Sequence, residues 1–404
     1  MIRLTSFIFF VFLFPIQCFS QDLDSISEVR KFELGEIKIT SVKSKTFISQ
    51  LSTIQLGQNT VSNALNTLPS VVLHHFGERN ELLVMIRGFN IRSIPVYIDG
   101  IPVYVTYDGY ADLGRFKTFD YSVISATKGL TPMEFGPNTI GGSINLVSLK
   151  PSNKMDIQAI TGYSSGNSRE FGINAGSRID KFYVQGSIYG LTSDFFRLSR
   201  KFEPTKHENG GERENSYSAD RKINLKAGFI PNEKSEYAVN YIYQNAEKGT
   251  PPYSGLDAKQ STRFWQWPVW NKQSIYFISK TSISTHTELK FRLFYDEFYN
   301  KLKSFDDNTY STQSMRYAFT SIYDDHTWGG NTVLSNFIQN KNKLNFSLHY
   351  KNDFHKEHNE GEPLRNFNDY TVSVGVDDDF QVSSKLSLTA GVSYNFSKSL
   401  LADN

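Results

Sequence analysis

VMIRGFNIRSIPVYIDGIPVY, residues 84–104, is the stretch that separates this chain from an ordinary β-rich protein. It sets Arg87-Gly88, Asp99-Gly100 and two prolines among apolar residues. An Asp-Gly pair favours a tight hairpin turn because glycine tolerates positive φ, so short strands are expected on either side of Asp99 and Gly100. Upstream, Thr60 stands where it can cap a helix carrying Val61, Ala64, Leu65 and Leu68 on one face, and Pro69 stops that helix. Downstream, YSVISATKGL (121–130) reads as a strand ending at a glycine. FGPNTIGGSINLVSLKP (135–151) then places Gly141-Gly142 before a last strand. Gly100, Gly136, Gly141 and Gly142 are read as turn and close-approach positions. None opens a helix after a strand, so none suggests a phosphate cradle. Residues 57–151 are therefore expected to form one small α+β domain.

On either side of that domain the character changes. Arg3, the apolar run Phe7 to Phe14, and Cys18-Phe19-Ser20 before Gln21 predict an export signal over residues 1–20, cleaved after Ser20. Residues 21–56 are polar and read as a flexible arm. Beyond residue 156 the pattern is period 2. SEYAVNYIYQ (235–244) sets Tyr237, Val239, Tyr241 and Tyr243 against Ala238, Asn240 and Gln244. ELKFRLFYDE (288–297) sets Leu289, Phe291, Leu293 and Tyr295 against Lys290, Arg292 and Asp296. KLNFSLHYKN (343–352) and KLSLTAGVSY (385–394) repeat it. Alternation over about ten residues with aromatics near the strand ends predicts membrane-crossing β-strands. Short turns at 178–181, 231–235, 284–287, 339–342 and 382–385 alternate with long polar segments at 192–218, 246–271, 299–328 and 354–369, as such barrels require.

The gross numbers agree. The formal net charge of +2 sets up no field for nucleic acid, and aromatics make up 14 % of the 404 residues. No run after residue 20 approaches the roughly 18 apolar residues of a spanning helix.

The pieces LGEIKITSVKSK (34–45), VSNALNTLPSVVL (61–73), residues 84–104 and ISATKGLTPMEFGPNTIGGSINLVSLKP (124–151), in that order, resemble a TonB-dependent outer-membrane receptor. The resemblance implies a plug domain inside a 22-strand barrel of the outer membrane. It also implies active import of a ferric siderophore or similar metal chelate, with the energy-transducing protein TonB as partner, and neither a cofactor nor an enzymatic step. Cobalamin, haem or oligosaccharide import and a non-transporting surface receptor or adhesin remain open alternatives. Glu36, Ile37, Lys38, Ile39 and Thr40 match the coupling box, an alternating segment suited to adding as a strand to a partner's sheet edge.

In this family the outward plug loops touch the ligand, which points to Tyr104, Tyr107, Asp108, Tyr110 and Arg115. Their rings suit an organic chelator and the guanidinium an anionic complex. Packing within the plug is the competing reading. Arg87 and Gly88 are expected to be structural, with Arg87 either paired to barrel carboxylates or simply at the surface. HKEHNE (355–360) reads as a solvated loop rather than a metal site. The turns count to about 11 strands, an odd number that cannot close a barrel of this kind. The expectation is thus mainly β: a small α+β plug (57–151), then an incomplete transmembrane antiparallel barrel (152–404), curled open around it with edges at 156–163 and 386–396, as the front of a longer chain.

Overall fold

A computed structural model describes Leu34 and residues 45–76, 79–129, 131–257, 259–338, 341–383 and 386–403. The export signal and the coupling box fall outside these residues.

The plug begins earlier than the sequence suggested. Residues 45–55, assigned above to a flexible arm, form strand β1 (Lys45–Ser49) and helix α1 (Gln50–Gln55). Isolated polar residues hid this strand because it is an edge strand, and only its pairing with β6 (Tyr121–Lys128) orders it. Helix α2 (Val61–Asn66) is where the spacing put it, with Thr60 as N-cap accepting from the Asn63 amide at 3.3 Å. A hairpin follows, β2 (Val71–Phe76) and β3 (Glu81–Ile86). Strands β4 (Val96–Ile98) and β5 (Ile101–Val103) flank Asp99-Gly100, and β7 (Gly142–Ser148) completes the sheet in the order β1-β6-β7-β4-β5. β4 and β7 run parallel; the other pairs are antiparallel. Val61, Ala64, Leu65, Val84, Ile86, Ile94, Leu113, Ile124 and Ile144 are buried between the sheet, α2 and the hairpin.

Eleven strands then form one antiparallel sheet in sequence order. The first four are β8 (Asp156–Ser164), β9 (Ser168–Ile179), β10 (Phe182–Ser193) and β11 (Ser218–Asn232). Next come β12 (Ser235–Thr250), β13 (Trp265–Ser282), β14 (Thr287–Ser304) and β15 (Phe319–Ile338). The last three are β16 (Asn342–Asn359), β17 (Arg365–Ser383) and β18 (Leu386–Ala402). Strands β8 and β18 each pair on one side only among the described residues, so the sheet is open with edges where they were expected. It curls about the plug: Gln50 bonds Gln158 on β8 at 2.9 Å, while a Cβ on Gly391 of β18 would lie 3.3 Å from Met133.

Strands β11–β18 are longer than the alternation alone marked, from 15 residues in β11 to 20 in β15. About 9–11 tilted residues cross the hydrocarbon, so the remainder stands beyond it. There the outer side chains turn polar, which is why segments such as 354–369 read as loops. HKEHNE, expected in a loop, lies mostly on β16.

The alternation is inside out. On β12, Ala238, Asn240, Ile242 and Gln244 are buried against the plug while Val239 is 49 % exposed. On β14, Lys290, Arg292 and Asp296 are buried while Leu293 and Tyr295 face outward. Polar side chains point in because a folded domain with polar partners fills the concave side. The outer apolar band is the face a membrane barrel gives to lipid.

Candidate ligand cleft and plug–barrel interface

The Asp99-Gly100 turn is both a hairpin and an anchor. Asp99 (φ 52°) and Gly100 (φ 80°) take the positive dihedrals of the tight turn. The turn carries the fully buried Asp99 carboxylate to the sheet wall. There it accepts from the Ser148 amide at 2.9 Å, from the Ser148 hydroxyl, and from Lys226 of β11 at 3.1 Å. Arg292 of β14, 1 % exposed, donates Nε–H to the Asp99 carbonyl at 3.0 Å and Nη1–H to Asn331 at 3.0 Å. A Cβ on Gly100 would sit 2.7 Å from Arg292 Cζ, so the guanidinium needs a glycine there.

The same arrangement repeats around the plug. Asp120 meets Lys222 and Asn224, each at 2.8 Å; Asp112 meets Lys248 at 2.8 Å; Glu134 meets Lys290 at 2.8 Å and Arg292 at 3.6 Å. The polarity reverses at Asp220 of β11, which accepts from plug Lys117 at 2.8 Å and Arg115 at 3.4 Å, and at Glu236 of β12, which accepts from Lys150 at 2.8 Å. Burial alone would raise the Glu134 carboxyl, but Lys290, Lys343 and Arg292 together hold it down at about 2. Asp112, also pushed up by burial, is held below the usual carboxylate range by Lys248 and Arg115.

Sequence reasoning missed these pairs. Their trace was the recurrence of Lys and Arg at period 2 on the non-aromatic side of the strands: Lys222 and Lys226 on β11, Lys290 and Arg292 on β14. Residue type gave the side but not the plug carboxylate opposite.

Segment 103–116 faces the long-loop end of the sheet, and its five singled-out residues part company there. Tyr107 is 56 % exposed, with Tyr323 and His355 rings 5.3 and 5.2 Å from its own. His355 Nδ1 and Asp325 Oδ1 are 2.7 Å apart behind them. Tyr104 reaches the wall of β16, donating to Asp353 at 2.5 Å under Lys351, whose Nζ lies 4.3 Å from the ring centre. Asp108 is taken by Arg79 in a two-pronged contact, each bond 2.9 Å.

Tyr110 and Arg115 are corrections to the expected cleft. Tyr110 is buried with its hydroxyl on Glu81 at 3.0 Å, and Arg115 is 3 % exposed among Asp112, Asp220 and the Trp270 ring. Both secure the plug because a cation or phenol at this depth must find a partner.

Arg87 is exposed, with φ 52°, and its amide donates to Ser70 O at 3.1 Å beside Gly88 at φ 86°. Among the described residues no barrel carboxylate lies within ion-pair distance of it. Gly141 and Gly142 are close-approach positions: a Cβ would lie 2.5 Å from Phe89 Cβ and 2.1 Å from the Thr127 carbonyl oxygen respectively. No group of three or more His, Cys, Asp or Glu side chains could hold a metal ion among the described residues.

Residues 38–143 match the family described as TonB-dependent Receptor Plug Domain. Over 131 residues the chain is 23 % identical to the vitamin B12 transporter BtuB of Vibrio vulnificus (strain YJ016), which covers 32 % of this chain and 21 % of the relative. Among solved structures, the copper transporter OprC superposes with a TM-score of 0.72 at 12 % identity, over 87 % of this chain and 55 % of that one. The ferric citrate transporter FecA in its unliganded form gives 0.68 at 18 % identity, over 88 % and 56 %. The chain thus spans about half the length of these solved structures, and at such identities the likeness is one of fold. Residues 38–143 thus carry the plug domain of TonB-dependent receptors, and the antiparallel sheet wrapped around it shares the fold of the solved transporters above.

Proposed function

We propose that the protein acts in the outer membrane as a TonB-driven importer of a metal chelate, a ferric siderophore being the leading candidate. One observation carries this reading: a plug domain seated in the concave face of the sheet by buried ion pairs, below an aromatic cluster of Tyr107, Tyr323 and His355 near the long-loop end. A seat made of hydrogen-bonded charges holds firmly, yet can be re-solvated when the plug is displaced, as a fused apolar core cannot. The cluster offers aromatic faces, which suit a planar organic ligand that envelops a metal; Arg79 and Lys351 nearby are paired to Asp108 and Asp353. The relatives' names, a copper, a ferric citrate and a vitamin B12 transporter, share metal-bearing cargo and support the class without choosing within it.

In this reading Glu36 to Thr40 pair with the partner's sheet edge and transmit the pull, and no covalent step occurs. Cells lacking the gene, complemented with the full-length gene or with a version deleted for residues 36–40, are given radiolabelled ferric citrate, a ferric catecholate and cyanocobalamin. Import of one probe by the intact protein, with surface binding but no accumulation after the deletion, is the expected result. Accumulation that survives the deletion removes the box assignment. No import of any probe, with no growth difference on scarce iron, favours a non-transporting surface receptor.

A further inference from the structure

The plug is not held evenly. Asp99, Asp112, Asp120, Arg115 and Lys117 are ion-paired to β11 and β12. Toward β15–β17 the plug stands off the wall and leaves a cavity of about 180 Å³. Tyr97, Tyr104 and Phe135 line it from the plug, and Phe294, His349 and Tyr350 from the sheet. Its upper rim is the Tyr104–Asp353 contact, toward the long loops.

Its floor is the segment 131–138, which links β6 to β7 near the short-turn end. Phe135 packs on Tyr97 with ring centres 4.8 Å apart, and the Tyr97 hydroxyl donates to the Phe135 carbonyl at 2.5 Å. The Met133 amide donates to Asp377 of β17 at 3.0 Å, and Glu134 is paired to Lys290 of β14. Gly129, Gly136 and Gly142, with φ of 99°, 79° and 130°, lie at or within the ends of this link, where the backbone turns most freely.

We propose that this cavity is the transit site of the cargo, and that segment 131–138 is its gate. The cargo descends from the outer cleft along β15–β17, and the floor swings aside while the β11 and β12 contacts stay paired. The proposal rests on the import reading above. The lining fits the same class of ligand: aromatic rings for an organic chelator, with Arg92 at its edge for negative charge. Sites for drug-sized ligands run to roughly 300–1,000 Å³, so the cavity as it stands admits a ring of the chelate and not the whole of it. Passage therefore requires the floor to move. Separating Glu134 from its buried cations is costly, which keeps the gate shut until energy is applied.

The test locks the floor in the full-length receptor. A Cβ on Gly375 of β17 would lie 2.9 Å from Met133 Cβ, so Met133→Cys with Gly375→Cys can bridge floor to wall after a small shift. Pro151→Cys with Gly176→Cys, where the corresponding separation is 2.8 Å, bridges the plug's end to β9 and serves as the control. Import of the three labelled probes and their surface binding are measured with each pair oxidised and reduced. The expected result is loss of import in the oxidised 133/375 pair alone, with binding retained and import restored by reductant. Undiminished import with that bridge closed overturns the gate, as does equal loss in the oxidised control pair. Failure of the parent protein to import any probe instead brings down the import reading, and the gate with it.

Discussion

Plug and sheet are built from the same residue types by opposite rules. In the plug Val84, Ile86, Ile124 and Ile144 face one another in a dry centre, and charges lie at its rim. In the sheet Lys222, Lys226, Lys290 and Arg292 face inward, while Leu225, Leu293 and Val239 face out. The difference lies in the solvent of each face. The plug's outside is met by polar side chains and the sheet's outside by hydrocarbon, so one amphipathic pattern is satisfied in two senses. Where the two meet, buried ion pairs stand beside apolar contacts, since Ala238, Ile242, Tyr276 and Phe294 of the sheet join the plug's hydrophobic cluster.

If that contrast is right, its largest break comes at Arg292. Truncating it to Ala strips a cation from Glu134 and leaves the Asp99 carbonyl without its donor. A loss of about 3–5 kcal/mol is expected, as for buried pairs broken from one side. Hydrogen exchange on the full-length protein should show the plug amides at 97–100 and 133–136 losing protection first. Unchanged exchange there would mean that the interface is held by other contacts.

A somewhat smaller effect concerns pH. Glu134 sits at about 2 when folded against an ordinary 4.5, so its pairs stabilise the seat fully above pH 4.5. That contribution, about 3 kcal/mol at its largest, is lost as pH falls from 4.5 through about 2. Glu134→Gln should flatten this acid limb in thermal melts between those values. An identical limb in the variant would assign acid sensitivity elsewhere.

The smallest effect is the sharpest comparison. Val84→Ala in the plug, where the residue is fully buried, should cost roughly 2 kcal/mol through lost burial and a cavity. Val239→Ala on the outer face of β12, 49 % exposed, should cost well under about 1 kcal/mol in detergent. Paired melts of the two variants read this directly, and equal costs would contradict the inside-out sheet.

Much of this was legible beforehand, for identifiable reasons. α2 showed itself through apolar spacing and the Thr60 cap, and the Asp99-Gly100 turn through glycine chemistry. The strands of the sheet showed through period 2. What escaped notice depended on partners distant in sequence. β1 is ordered only by β6, with Lys45 opposite Thr127 and Ser49 opposite Val123. Tyr110 and Arg115 looked like ligand contacts because a ring and a guanidinium in a loop carry no mark of what will cover them. Asp377 accepts from the Met133 amide across 244 residues, a pairing that no local pattern marks.

By itself, then, the sequence determined periodicity, turns and the sidedness of each strand, because these follow from bonded geometry and from neighbours a few residues apart. Only the tertiary structure decided which plug carboxylate meets which lysine, which aromatic residues stay open at the cleft, and where the plug stands away from the wall. Those outcomes are set by the curvature and register of the sheet around a separate domain. A buried charge is tolerable only where its partner arrives within about 3 Å, and no local pattern encodes that arrival.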